Sequence, residues 1–403
     1  MFLLAALAIA AADVTAVARP LPGGLPEREP AAVGMSAERL ATIDRVVQRG
    51  IEAGGYPGAS LVVGRKGYAI WQRGYGTLDW TRTSRVTANE SLYDLASLTK
   101  VVATTTALMV LFDQGKVELD APVSTYLPEF SGGLKDQVTV RHLLTHRAGL
   151  SAGRELWRMA STPAEARAAV ISSPINCTPG ACYEYSDLGA DLLGFIAEAV
   201  SGESLEGLLQ KQVFRKLAMN DTRFRLSDAD AARTAPTEIA PPRGYPLRGE
   251  VHDENAYALG GVAGHAGLFS TAADLARFAR MVLQGGELEG VRVLTPEAVA
   301  RMTAVATPPG LPEQRSLGWD IDSPFSRARG KGYPRGSFGH TGFTGCSLWI
   351  DPFSRTFHVL LSNRVHPRTR ESIVALYEDV GTRAADAVMG FDFERLRGPV
   401  PPR

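Results

Sequence analysis

The chain has 403 residues, with 43 Lys and Arg against 43 Asp and Glu, so its formal net charge is zero. Hydrophobic residues make up 45% of it and charged residues 21%, a composition that is typical of globular proteins and excludes disorder over most of its length. Because the chain is neutral and has no long basic run, no nucleic-acid partner is expected. At roughly 150 residues per domain, the length allows two or three structural units.

The N-terminus has features of an export signal. Residues 2–12 are an unbroken apolar run that is too short to span a bilayer comfortably, and Ala16-Val17-Ala18 follows as a small-x-small cleavage pattern, although no charged region precedes the run. We expect a signal peptide over residues 1–18, a proline-rich leader outside the fold over residues 19–34, and a periplasmic or secreted protein. Its only membrane contact would be the leader, if that stays uncleaved; the alternative is a frayed apolar tail.

Three cysteines agree with export without requiring it. Cys177 and Cys182 are five positions apart with Pro179-Gly180 between them, so a turn would bring them within reach of a disulfide. Two unpaired cysteines fit the sequence equally well. Cys346 stands alone and the sequence has no Cys-x-x-Cys pair, which excludes a zinc ribbon.

Hydrophobic periodicity predicts strands at both ends of the chain and helices between them. The first elements are a helix over residues 36–49, a hairpin of residues 59–63 and 68–75, and a long apolar helix over residues 98–113. Further helices are predicted over residues 139–145, 188–201, 204–214 and 272–283 and from Thr295 onward. Late strands are predicted over residues 317–321, 337–341, 347–351 and 357–362, and a closing helix over residues 369–389.

This order predicts an α+β fold. An antiparallel sheet is built from the N- and C-terminal segments and flanked by helices, and a large, mainly helical region is inserted between the two halves. We expect one domain over residues 35–390, with a sheet subdomain of about residues 35–96 plus 315–390 and a helical subdomain of about residues 97–314. Residues 391–403 are expected to form a C-terminal tail.

The strongest chemical signal is Ser97-Leu98-Thr99-Lys100 at the start of the long apolar helix. Residues three apart on a helix lie on one face, and the helix N-terminus favours a developing alkoxide. A serine needs a nearby base, and a neutral lysine is one if burial lowers its pKa from roughly 10.4. The alternative interpretation is a helix cap beside a surface lysine.

Two further groups follow along the chain. Tyr185-Ser186-Asp187 precedes the helix over residues 188–201, where a tyrosine hydroxyl near Lys100 would move a proton. His340-Thr341-Gly342 lies on a late strand, where the glycine allows a substrate to approach the strand edge. Taken singly, each group also fits an ordinary turn.

Together, these groups resemble the Ser-x-x-Lys, Tyr-x-Asn and Lys-Thr-Gly elements of the serine β-lactamase and penicillin-binding-protein superfamily. The resemblance spans residues 35–390 and is greatest to the branch of class C β-lactamases, D-Ala-D-Ala carboxypeptidases and family VIII esterases. It implies a β-lactamase/transpeptidase-like fold in which Ser97 is the acylated nucleophile, Lys100 activates it and Tyr185 is the acid and base. The N–H groups of Ser97 and Phe343 would form the oxyanion hole.

Two positions depart from the family pattern. Asp187 replaces the usual Asn, and its carboxylate would raise the pKa of Lys100 and repel an anionic substrate unless the two residues pair. His340 replaces the usual Lys, as among D-Ala-D-Ala peptidases and other members that are not lactamases. Both changes weaken the interpretation as a dedicated β-lactamase, which benefits from a cation that binds the substrate carboxylate.

Other motifs compete with this assignment. Gly149-Leu150-Ser151-Ala152-Gly153 matches the nucleophile elbow of α/β-hydrolases, but it follows a predicted helix instead of a strand. His142 and His146 have the spacing of a metal pair, although a structural role fits better because no glutamate follows as in zinc peptidases. His252, Asp253 and His265 are either a ligand cluster or a polar wall of the cleft, and we favour the wall.

The sequence therefore predicts an exported serine hydrolase that works through an acyl-enzyme and needs neither metal nor organic cofactor. D-Ala-D-Ala cleavage on a cell-wall peptide stem is the first expectation, and a carboxylesterase or weak β-lactamase is the second. The expected partner is thus a peptide-stem or small-molecule substrate, an ester or β-lactam included. A non-catalytic penicillin-binding or sensor module is the rival from another class, and Asp187 is the feature that permits it.

Overall fold

A computed structural model describes residues 24–81, 83–368 and 372–396. Its strands are β1 (Gly58–Arg65), β2 (Tyr68–Gly76), β3 (Tyr93–Asp94), β4 (Phe269–Ser270), β5 (Glu287–Leu288), β6 (Val291–Arg292), β7 (Gln314–Arg315), β8 (Asp320–Asp322), β9 (Phe338–Gly342), β10 (Cys346–Asp351) and β11 (Thr356–Ser362). Its α-helices are α1 (Ala37–Glu52), α2 (Thr106–Asp113), α3 (Val140–Leu144), α4 (Leu156–Met159), α5 (Pro163–Ile171), α6 (Asp187–Ser201), α7 (Leu205–Leu209), α8 (Asp228–Ala232), α9 (Glu254–Ala258), α10 (Ala272–Leu283), α11 (Pro296–Thr303) and α12 (Val374–Asp386).

The central sheet joins the two ends of the chain. Within the described residues, seven strands form it in the order β2-β1-β11-β10-β9-β8-β7, and neighbouring strands pair antiparallel. Strand β1 lies between β2 and β11, so the first strands of the chain hydrogen-bond to the last one. This arrangement confirms the predicted α+β class, with a mainly helical block inserted between the two halves of the sheet.

Both faces of the sheet are covered, because successive residues of a strand point to opposite sides. Val62 of β1 belongs to the larger core together with Leu98, on the face against which α10 also packs. Its neighbour Leu61 belongs to a second core with Val47 of α1 and Val380 of α12. All eight residues of β1 are buried, as expected of a strand with helices on both sides.

The long apolar helix has three segments instead of one α-helix. A 3₁₀ turn over Ala96–Leu98 and a π-helix over Lys100–Thr105 precede α2. Among the described residues, Ala96–Asp113 is a helical stretch long and apolar enough to cross a membrane, but 83% of it is buried inside the fold. This stretch is therefore a buried core helix, and Ser97 lies at its N-terminal end.

The expected position of two segments is wrong. Residues 24–34 lie against the fold, whereas the proline-rich leader was expected outside it: the N–H of Ala69 donates to the Pro26 carbonyl, and Pro30 and Val33 are buried. Glu27 pairs with Ala69 as a parallel β-bridge, and burial of the apolar side chains of Pro30 and Val33 adds to this contact. Residues 19–23 of that leader and the signal peptide over residues 1–18 lie outside the described residues. The predicted strand over residues 317–321 begins only at Asp320, because Gly318 turns the chain with a φ of 80°.

One contact shapes the turn that contains Ser97, and two bring the end of β9 to it. The Asp94 side chain accepts the N–H of Ala96, which has a positive φ of 46° immediately before Ser97. The Thr344 hydroxyl, just after β9, donates to the Asp94 carbonyl over 2.7 Å. A Cβ on Gly342 would lie 2.3 Å from the Leu95 carbonyl oxygen, so only glycine permits this approach.

We predict that Gly342→Ala separates β9 from the Ser97 turn and lowers the free energy of unfolding by about 1–3 kcal/mol, as overpacked sites do. Gly153→Ala is the matched control, because nothing lies within 4 Å of the Cβ it would add. Denaturant unfolding of both variants measures the effect. Equal stability of the two variants would mean that β9 is not held against this turn.

Candidate active site

Ser97 and Lys100 face each other as their spacing predicts. Lys100 Nζ donates to Ser97 Oγ over 2.9 Å. Ser97 is partly exposed, whereas Lys100 is buried with Val101 and Val102 in the apolar segment that follows. A reachable hydroxyl thus contacts an amine that is shielded from solvent.

Lys100 Nζ has two further partners. It lies 2.7 Å from Asp187 Oδ1 and donates to the His265 carbonyl over 3.1 Å. Asp187 is the first residue of α6, whose N-cap Ser186 accepts the N–H of Gly189. The ammonium therefore donates two hydrogen bonds and forms one ion pair, so three oxygens surround it.

The charge of Lys100 differs from the expectation. Burial favours the neutral amine, but the Asp187 carboxylate and Tyr185 outweigh it and raise the pKa of Lys100 above its ordinary value. The lowered pKa that a neutral lysine base requires is therefore not found, and the raising effect expected of a carboxylate at position 187 is. The pairing of Asp187 with Lys100, which the sequence left open, is present in the structure.

Tyr185 lies between the lysine and the late strand. Lys100 Nζ is 5.0 Å from the centroid of the Tyr185 ring, and the His340 ring centroid is 6.0 Å from it. Phe325, 46% exposed, contacts the same ring at 5.3 Å. The three predicted groups, which are far apart in sequence, therefore meet around one ring.

The end of β9 supplies the remaining predicted residues. His340 is buried, and its Nδ1 lies 2.8 Å from the Thr341 carbonyl, which fits a neutral ring that donates from Nδ1. Burial lowers the pKa of His340 well below the usual value, and the Arg315 and Lys100 cations lower it further. A neutral imidazole thus takes the place of the lysine cation that the family pattern has here.

Phe343 follows Gly342 at the mouth of the site. Its side chain is 52% exposed, stacks on the His252 ring with centroids 5.7 Å apart, and has the Arg364 guanidinium 4.6 Å from its centroid. Since Gly342 lies against the Leu95 carbonyl, the backbone of Phe343 lies near the Ser97 turn. Two half-exposed phenylalanines, Phe325 and Phe343, therefore flank the site.

Sequence reasoning missed two residues that contact Tyr185. The ring of His146 lies 4.5 Å from the Tyr185 ring, and its Nδ1 accepts the N–H of Ser186 over 3.1 Å. Arg315 is fully buried, pairs with Asp320 over 2.7 Å and has its Cζ 5.9 Å from the Tyr185 centroid. The only signal for His146 was its spacing from His142, which suggested metal binding, and Arg315 had none.

The competing motifs have other roles. Ser151 lies in a loop after α3, where its Oγ donates to the Gly153 carbonyl over 3.4 Å and its own carbonyl accepts from the Ser186 hydroxyl. His142 accepts the N–H of Thr139 in a capping box at the start of α3. Among the described residues, no cluster of three or more His, Cys, Asp or Glu is placed to hold a metal ion.

The remaining sequence candidates are also accounted for. His252 pairs with Glu238 over 2.8 Å, and His265 lies between two carboxylates beside Lys100. Cys177 and Cys182 form a disulfide with their Cα atoms 6.6 Å apart, while Cys346 is buried. The site therefore consists of a serine hydroxyl, a charged lysine, a tyrosine and a strand edge, which is the set that nucleophilic acyl transfer requires.

Known proteins have the same architecture. A family model described as Beta-lactamase matches residues 43–381. An Escherichia coli (strain K12) protein named "Putative D-alanyl-D-alanine carboxypeptidase" is 29% identical over 377 residues, which cover 85% of this chain and 86% of that protein. A penicillin-binding protein homolog from Caulobacter crescentus has a TM-score of 0.70 at 22% identity, covering 88% of this chain and 99% of its own. A family VIII carboxylesterase has a TM-score of 0.68 at 22% identity, covering 88% and 98%. At these identities the two structures establish the fold alone.

We predict that His340 makes folding sensitive to acid. The unfolded chain takes up a proton at this residue below about pH 6.5, whereas the folded protein does not until a lower pH, so its contribution is lost as the pH falls. His340→Gln should therefore lose less stability than wild type between about pH 7 and pH 5, by up to about 1.4 kcal/mol per pH unit. Denaturant unfolding across this range measures the two slopes, and parallel slopes would contradict a neutral, buried His340.

Proposed function

Because the chain belongs to the β-lactamase family, we propose that it is a serine hydrolase that forms an acyl-enzyme on Ser97. One observation supports this most directly: the hydrogen bond from Lys100 Nζ to Ser97 Oγ, made beside Tyr185 and the end of β9. A hydroxyl held in this way is already oriented for attack, which supplies much of the advantage of an intramolecular reaction.

The raised pKa of Lys100 assigns the proton transfer to Tyr185. A charged Lys100 cannot accept the Ser97 proton; it stabilises the alkoxide by donating to Oγ. In our proposal Tyr185 relays the proton: its phenolic oxygen takes the Ser97 proton as Ser97 Oγ bonds to the acyl carbon, and it gives its own proton to the leaving group as the bond to that group breaks. Water, activated by the same oxygen, releases the acid and restores Ser97.

The backbone around Ser97 and Phe343 is the proposed oxyanion hole. The contact of Gly342 with the Leu95 carbonyl and the bond from Thr344 to Asp94 hold the two segments together. Two N–H groups aimed at one developing oxyanion are worth about a hundredfold or more in rate for each donor.

For the substrate, we propose a peptide stem that ends in D-Ala-D-Ala, cleaved outside the cytoplasm. The name of the curated relative at 29% identity supports this choice, and the export signal expected over residues 1–18 agrees with it. His340 also supports it over a dedicated β-lactamase, because histidine in place of the usual lysine resembles the D-Ala-D-Ala peptidases.

An ester is the second candidate, alongside weak β-lactam hydrolysis. His340 is neutral and the Lys100 charge is paired with Asp187, so these two residues offer no free cation to a substrate carboxylate. Phe325 and Phe343 add apolar surface to the mouth, which suits an uncharged acyl or alcohol group. A non-catalytic binding module remains the rival from another class, since Asp187 occupies a position where the family pattern has Asn.

We predict that Ser97→Ala abolishes both covalent labelling by a serine-reactive phosphonate and hydrolysis of a p-nitrophenyl ester, with at least a roughly thousandfold loss in rate. Ser151→Ala is the control and should keep both activities, because the described structure places no base at its hydroxyl. Mass spectrometry of the adduct locates the nucleophile. An adduct on Ser151 would refute the assignment, and a folded wild type without any adduct would favour the binding module.

A substrate panel separates the candidates. We predict release of D-Ala from a D-Ala-D-Ala pentapeptide and slow turnover of nitrocefin, both abolished by Ser97→Ala. Rapid turnover of short esters without release of D-Ala would replace the peptidase by the esterase.

In Asp187→Asn, loss of a negative charge beside Lys100 should lower KM for the anionic nitrocefin more than for a neutral ester, by roughly tenfold if one charge interaction is removed.

A further inference from the structure

A charged network adjoins Lys100 through His265, whose carbonyl accepts a hydrogen bond from the lysine. The ring of His265 contacts two carboxylates: Nδ1 lies 2.7 Å from Asp191 Oδ1, and Nε2 lies 2.9 Å from Asp253 Oδ1. The carbonyl of the same residue accepts from Lys100 Nζ over 3.1 Å. His265 thus connects α6 and the N-cap of α9 to the amine beside the nucleophile.

The two contacts of the His265 ring fit an imidazolium, which donates from both ring nitrogens. Ionised carboxylates only accept hydrogen bonds, so both ring nitrogens donate. Burial opposes the charge, but Asp191, Asp253 and Asp187 together raise the pKa of His265 well above its usual value. The side chains of His265 and Asp191 are almost completely buried, so these charge-assisted bonds are shielded from water.

The main chain on either side of this ring is also fixed. Asp191 Oδ1 accepts the N–H groups of Gly264 and His265 over 3.0 and 3.3 Å. The Thr104 hydroxyl donates to the Gly264 carbonyl over 2.6 Å, and a Cβ on Gly264 would lie 2.0 Å from the Ala190 carbonyl oxygen. The peptide therefore has little freedom, and its carbonyl holds a defined position relative to the helix of Lys100.

We propose that His265, clamped by Asp191 and Asp253, is a positioning residue that keeps Lys100 Nζ within reach of Ser97 Oγ. Of the three Lys100 partners, Asp187 is the only charged one and attracts the ammonium most strongly. The His265 carbonyl, which accepts a hydrogen bond from Lys100 Nζ, keeps the ammonium from moving toward Asp187. The hydrogen bond from Lys100 Nζ to Ser97 Oγ is therefore kept. The proposal rests on the proposed function, and it adds a device that acts on the nucleophile through Lys100.

Asp253→Asn tests the clamp with little disturbance of the fold. An Asn side chain still offers an oxygen to His265 Nε2 and to the N–H groups that Asp253 caps at α9, so only the charge is removed. The Asp253 side chain is 31% exposed, which eases the substitution. Asp230→Asn is the matched control, because Asp230 lies in the first turn of α8 and pairs with Arg223 and Arg233, none of which contacts Lys100.

The measurement is the rate of acylation by a fluorescent phosphonate, in wild type and in a Lys100→Ala background. We expect Asp253→Asn to slow acylation by about ten- to a hundredfold in wild type, as displacement of a reacting group does. In the Lys100→Ala background it should have no further effect, and Asp230→Asn should be neutral in both. His265→Gln, whose side-chain amide still donates a hydrogen bond, should slow acylation as Asp253→Asn does.

Each other outcome overturns the proposal. An equal slowing in both backgrounds would mean that the clamp only stabilises the fold, and an unchanged rate in Asp253→Asn would mean that it does not act on Lys100. In both cases the proposed function still stands if labelling by the phosphonate requires Ser97. Labelling that persists in Ser97→Ala would instead refute the proposed function itself.

Discussion

The site depends on the contacts of the Lys100 ammonium with three oxygens, two through hydrogen bonds and one through an ion pair. These contacts join Ser97, the first residue of α6 and the loop before β4, three parts of the chain that no local structure brings together. A buried charge without partners would be strongly unfavourable, so the fold must supply all of them. The requirement to satisfy this cation and the geometry needed for catalysis are therefore met by the same contacts.

This view explains the two departures from the family pattern together. Asp187 compensates Lys100 at 2.7 Å, so the site needs no neutral lysine, and Tyr185 takes over the proton. His340 is then neutral between two existing cations, Arg315 and Lys100, where a third cation would be repelled. An arrangement with few free charges suits neutral reacting groups and so favours the ester, whereas the name of the relative at 29% identity favours the peptide stem.

Much of the fold was predictable because its signals are local. The helix that became α1 and the strands β1, β2, β10 and β11 follow from hydrophobic periodicity, and the Ser97–Lys100 contact follows from helical spacing. The π-helix after Lys100 and the turn at Gly318 were not predictable, because long-range packing overrides the local preference there. The packing of residues 24–34 against β2 depends likewise on contacts that are remote in sequence.

The site was predictable as far as its motifs extend. Tyr185 and His340 were found by resemblance, whereas His146, Arg315 and the clamp around His265 act through neighbours that only the fold defines.

The most direct test is a crystal structure of the phosphonate adduct. We expect phosphorus bonded to Ser97 Oγ, a phosphoryl oxygen between the N–H groups of Ser97 and Phe343, and Lys100 Nζ still in contact with Asp187 and the His265 carbonyl. A phosphoryl oxygen directed away from β9, or a Lys100 that has left both partners, would contradict the account.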